Sequence, residues 1–135
     1  MGRLYFLKTR SEGKAISDFT KNAVPQLVQH ELEFSKNQHE ERFHSLHEAE
    51  SVIREELEEL EEDVQDCRQC FENLHASTRQ DDMYGAIVNA NHIASFAIYA
   101  AYEAIQLAAM CEKLLEMNAE VPELRREDRR GGRGT

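Results

Sequence analysis

The sequence predicts an all-α protein: a helical bundle in which two long helices pack antiparallel, completed by oligomerisation. Three observations carry that expectation. Gly and Pro number only 6 and 2 in 135 residues, and long stretches contain neither, which favours helices over turn-rich sheet. From Ile53 the apolar residues Leu57, Leu60, Val64, Cys67, Phe71 and Leu74 follow at alternating spacings of four and three, a heptad seam. From Ile93 to Cys111 the residues are almost all apolar or small, as in a helix covered on most sides.

Taken in order, residues 1–22 read as an irregular N-terminal arm. A first helix is expected to begin at Pro25, a residue suited to a first turn, and to end near Asn37. The second is expected over Phe43–Leu74, closed by a polar loop or cap from Ala76 to Asp82. The third is expected over Met83–Met117, with seven alanines between Ala94 and Ala109 that permit close helix approach. One chain of this size supplies few neighbours for it, and a homo-oligomer would supply more. These helices define a domain over 23–118. Residues 119–135 carry several arginines and little to build a core, so they read as a disordered tail.

The formal net charge of -10 argues against general nucleic-acid binding, which needs a basic face. Three cysteines in no disulfide pattern suit a reducing, cytoplasmic setting. No signal peptide is visible. The apolar run of the third helix contains Glu103 and Gln106, so a core helix is expected and a membrane span is not.

Two features could carry chemistry. The first is Glu55-Glu56-Leu57-Glu58-Glu59. On a helix, carboxylates three or four apart share a face and repel unless a cation neutralises them. Glu56 adjoins the seam residue Leu57 and can lean inward, whereas Glu58, Glu61 and Glu62 point outward. The second is Glu103, a lone carboxylate in an apolar helix, where burial demands a cation, a proton or hydrogen bonds. His92, Phe96, Tyr99, Glu103, Gln106 and Met110 recur at four and three, forming a polar and aromatic stripe. A carboxylate pair on one helix facing a carboxylate on its neighbour is a common way to hold a divalent ion in a bundle. No Glu-x-x-His pair accompanies these glutamates, so Mg²⁺ or Mn²⁺ is preferred over iron. Each feature also has a plain structural explanation, as a solvated helix face or a hydrogen-bonded core stripe. Cys67 and Cys70 lie mid-helix and read as packing.

The segments FHSLHEAESVIREELEELEEDV and AYEAIQLAAMCEK resemble the MazG-like branch of the all-α nucleoside triphosphate pyrophosphohydrolases, in particular its small phage and bacterial members. The F-x-S-x-H-E opening falls on Phe43, Ser45, His47 and Glu48. The E-E-x-x-E motif falls on Glu55, Glu56 and Glu59. The second motif, E-x-x-D, falls on Glu103 to Gln106, with Gln106 in the place of the aspartate. The resemblance spans about residues 27–117. It implies Mg²⁺ held by Glu56, Glu59, Glu103 and Gln106, with Glu55 or Glu59 activating water. It implies an NTP or dNTP substrate met by His47, Arg54, Tyr99 and Lys113, and a homodimer or homotetramer. The alternative expectation is a non-catalytic helical scaffold that keeps the fold and works by association.

Overall fold

The computed structural model describes residues 15–119 and contains three helices. They are α1 (Asp18–Gln38), α2 (Leu46–Arg79) and α3 (Met83–Ala119). No strand occurs among the described residues. The expectation for residues 119–135 falls almost wholly outside them, as does most of that for the N-terminal arm.

Helices α2 and α3 form a long antiparallel hairpin, while α1 packs on α3 and not on α2. The hairpin turns over Gln80–Asp82, where Asp81 adopts a left-handed conformation at φ 53°. Asp and Asn tolerate that region better than most residues. The Asp82 carboxylate then accepts from the Gly85 amide at 3.0 Å and caps α3.

The first helix begins seven residues before Pro25, at Asp18, inside the stretch expected to be irregular. Ser17 supplies the cap by accepting from the Thr20 amide at 3.2 Å, and Asp18 lies favourably at the positive end of the helix. These outweigh the one hydrogen bond that Pro25 cannot donate from inside the helix. Helix α2 also runs past its expected end. The small polar residues continue the helix to Arg79, and the Thr78 hydroxyl donates to the Leu74 carbonyl at 2.9 Å.

The start of α2 is a reciprocal cap. Ser45 accepts from the Glu48 amide at 3.0 Å, and the Glu48 side chain accepts from the His44 amide. Phe43 is buried just before it. Three residues of the F-x-S-x-H-E opening therefore have structural roles. Ser45→Ala should cost about 1 kcal/mol, read as a lower urea midpoint with an unchanged slope.

The inward seam of α2 differs from the expected one. Ile53, Leu60, Cys67 and Leu74 face α3 as expected, but the intervening positions are Glu56, Asp63 and Cys70, not Leu57, Val64 and Phe71. The two readings share every second residue and are rotated by one position. Packing settles it, because α3 brings Glu103 inward at the level of Glu56. Further along, the Cys67 thiol reaches the Ile93 carbonyl at 3.8 Å. The three cysteines are free.

Apart from Cys70 further along α2, the buried residues are Leu32 of α1, Phe43 before α2, Ala49 in the first turn of α2, and Ala109 and Lys113 towards the end of α3. Lys36 of α1 pairs with Glu116 of α3 at 2.7 Å and ties the two together. Elsewhere α3 is open. It is long and apolar enough to cross a membrane by length and composition, yet only 11% of its apolar window is buried within the chain. The expectation of a core helix covered on most sides is not met by one copy, since α2 covers one side and α1 only the C-terminal part.

Candidate metal centre

Packing of α2 against α3 fixes which carboxylates face inward. Glu56 lies on the seam and Glu59 beside it, one turn on. Glu103 opposes them from α3. One oxygen from each of the three lies within 4.8 Å of the others. Two of the oxygens, Glu56 Oε2 and Glu103 Oε2, are buried with no hydrogen-bond partner among the described residues.

Such an arrangement is electrostatically costly without a counter-charge. Burial pushes the Glu103 carboxyl up to about 7, helped by Glu59 and then by Glu56 and Asp63. Burial also raises Glu56, with Glu59 and Glu55 adding to the effect and a hydrogen bond with Glu103 opposing it. Either a proton or a cation would relieve this repulsion. Its donors are all carboxylate oxygens, the preference of Mg²⁺. Glu56, Glu59 and Glu103 are the residues that would hold such an ion.

Glu56 is also a wall of a cleft of about 750 Å³ between α1, the 39–45 connection and the adjoining parts of α2 and α3. Clefts of that size suit small-molecule ligands. Lys113 is buried at its base, 5% exposed, with its ammonium 4.7 Å from the centre of the Phe43 ring. No carboxylate among the described residues forms an ion pair with it. A buried cation of this kind favours an anionic ligand.

The expected residues divide into two groups. Glu56, Glu59 and Glu103 come together, with one carboxylate oxygen of each within 4.8 Å of the others. Gln106 lies one turn beyond Glu103 and lines the cleft, as do Glu55 and Lys113. His47, Arg54 and Tyr99 are exposed and are not among the cleft-lining residues. Arg54 holds Glu50 at 2.9 Å, and the Tyr99 ring meets that of Tyr102 edge to face.

Sequence reasoning missed the contributions of Phe34, His39, Arg42 and His44 to the cleft. They come from α1 and the connection after it, and no periodicity signals them. It also missed Asp63, whose seam position follows from reading the heptad through Glu56. Gln106→Asp should tighten Mg²⁺ binding about tenfold or more by adding a charged oxygen near the cluster. Calorimetry checks this, and unchanged affinity would restrict Gln106 to the cleft wall.

Fold and site together define a class: an antiparallel helical hairpin with facing carboxylates beside a cleft that holds a buried lysine. No protein-family model matches the chain, and no curated protein or solved structure does either.

Proposed function

We propose that the chain is a Mg²⁺-dependent pyrophosphohydrolase that converts a nucleoside or deoxynucleoside triphosphate to the monophosphate and pyrophosphate. The observation that carries this reading is the convergence of Glu56, Glu59 and Glu103 next to a cleft with Lys113 at its base. The motif resemblance over Glu55–Glu59 and Glu103–Gln106 supports it.

Mg²⁺ bound to the three carboxylates would offset phosphate charge and acidify a water molecule. Lys113 meets the phosphate chain with a desolvated positive charge. Glu55, on the cleft wall and outside the carboxylate cluster, accepts the proton of the attacking water. The water oxygen bonds to the α-phosphorus. The bond from that phosphorus to the bridging oxygen breaks, and pyrophosphate leaves with that oxygen. Gln106 orients the substrate through its amide.

The test is incubation with Mg²⁺ and a panel of NTPs and dNTPs, with products separated by chromatography and Glu59→Gln run alongside. Monophosphate and pyrophosphate that disappear in the variant are expected. No turnover together with no Mg²⁺ binding would overturn the reading. It would leave the non-catalytic helical scaffold, which the open face of the hairpin favours.

A further inference from the structure

The wall that α1 gives to the cleft differs in chemistry from its base. Glu31, Phe34, Ser35 and Gln38 line it, three and four residues apart and so on one side of the helix. None of them is a cation. Lys36, on the same stretch, does not line the cleft and pairs instead with Glu116 at 2.7 Å. A wall with a carboxylate and no lysine or arginine is ill suited to phosphate. Phosphates drawn to Lys113 and to an ion at Glu56 and Glu103 occupy the α2–α3 side, which leaves the α1 wall to the rest of a nucleotide.

Phe34 is 52% exposed although it lies on a cleft wall. The other phenyl ring there, Phe43, is buried with the Lys113 ammonium over its face. Phe34 is therefore the ring against which a flat group can lie. About one turn to either side stand Glu31, a carboxylate that accepts hydrogen bonds, and Gln38, whose amide both donates and accepts. From 31 to 38 the helix rises about 10 Å, room for one heterocycle with a polar group at each side.

We propose that this wall is a nucleobase subsite that selects bases carrying an exocyclic amino group, with the base stacked on Phe34 and its edge met by Glu31 and Gln38. The assignment rests on the triphosphate reading of the same cleft and adds which bases that cleft admits. Adenine and cytosine present an amino donor beside a ring-nitrogen acceptor. The amino group donates to Glu31, and the Gln38 amide donates to the ring nitrogen. Guanine presents its amino group and a ring N–H, two donors that one carboxylate accepts together. Uracil and thymine present one N–H between two carbonyl oxygens, which set acceptor against acceptor at Glu31. Such a mismatch leaves desolvated polar groups unpaired and rejects the wrong ligand. Stacking tolerates any base, so Phe34 sets affinity and Glu31 sets choice.

The test is calorimetric titration of the full chain in Mg²⁺ with α,β-methylene analogues of ATP, CTP, GTP and UTP, which resist cleavage at that bond. Inorganic tripolyphosphate serves as the ligand without a base. The three amino-bearing analogues should bind at least about tenfold tighter than the uracil analogue. Phe34→Ala should weaken all four analogues about 10- to 100-fold, the range for losing one base–aromatic stack, and leave tripolyphosphate unmoved. Glu31→Gln should bring the uracil analogue level with the others, because an amide also donates. Circular dichroism checks that helicity is kept, and Glu31→Gln probes the same wall should Phe34→Ala lose it. A uracil analogue bound as tightly as the rest by wild type would overturn the proposal and leave the triphosphate reading standing. So would a Phe34→Ala variant that weakens tripolyphosphate as much as the nucleotides. Binding of neither tripolyphosphate nor any analogue would overturn both.

Discussion

Glu103→Gln should reduce Mg²⁺ affinity at least about 100-fold and lower turnover by at least a similar factor, the range expected when a charged ligand is lost. The same substitution should stabilise the metal-free protein above pH 7. The Glu103 carboxyl is raised to about 7 by burial and by Glu59, Glu56 and Asp63, whereas in the unfolded chain it titrates near its ordinary value. Between those two pH values the folded state holds a proton that the unfolded state has released. Wild-type stability without metal therefore falls as pH rises from about 4.5 to 7 and stays low above it. Glutamine removes that cost because it never ionises. Thermal melts at pH 5 and pH 8, with and without Mg²⁺, separate the cases. Mg²⁺ should raise the wild-type melting temperature at pH 8 and leave the variant unmoved. A variant that binds Mg²⁺ like wild type, or that melts lower at both pH values, would make Glu103 a packing residue.

Lys113→Gln should raise KM for a triphosphate about 10- to 100-fold. A hydrogen bond to a charged group contributes about 1.5–3 kcal/mol, and each 1.4 kcal/mol is tenfold. Lys113 is buried over Phe43 at the base of the cleft, so its charge acts in a poorly screened setting. The variant should lose little stability, since the cost of burying an ammonium is removed along with its contact to the Phe43 ring. Mg²⁺ affinity without nucleotide should be unchanged or slightly improved. Unchanged KM with a large loss of stability would mean that the lysine holds the fold through the Phe43 ring. Urea titration and steady-state kinetics on one preparation distinguish the two.

Much of the architecture was legible in the sequence because helices announce themselves by period. Long stretches free of Gly and Pro, and heptads in α2 and α3, located both long helices to within a few residues at most ends. The boundaries slipped where capping overrode propensity. Ser17 starts α1 ahead of Pro25, and α2 runs on through a polar stretch to Arg79. The carboxylates Glu56, Glu59 and Glu103 were legible for a different reason. Charged residues next to a seam, or alone in an apolar helix, are expensive and stand out. The cleft was not legible. Phe34, His39, Arg42 and His44 reach it from α1 and the connection, and only the angle at which α1 meets α3 brings them there.

By itself, the sequence determined that the chain is helical and where its two long helices lie, and it singled out an acidic stretch of one and a lone glutamate of the other as candidates for a shared site. Periodicity and the cost of burying charge suffice for that. Only the tertiary structure decided which of two interleaved heptads on α2 faces α3. Both contain Ile53, Leu60, Cys67 and Leu74, and the choice between Glu56 and Leu57 as their neighbour is a rotation that sequence period does not resolve. Packing against α3 turned Glu56 and Asp63 inward and left Leu57, Val64 and Phe71 on the open face. That one rotation brings the carboxylates Glu56 and Glu103 together between the helices and leaves Leu57, Val64 and Phe71 exposed.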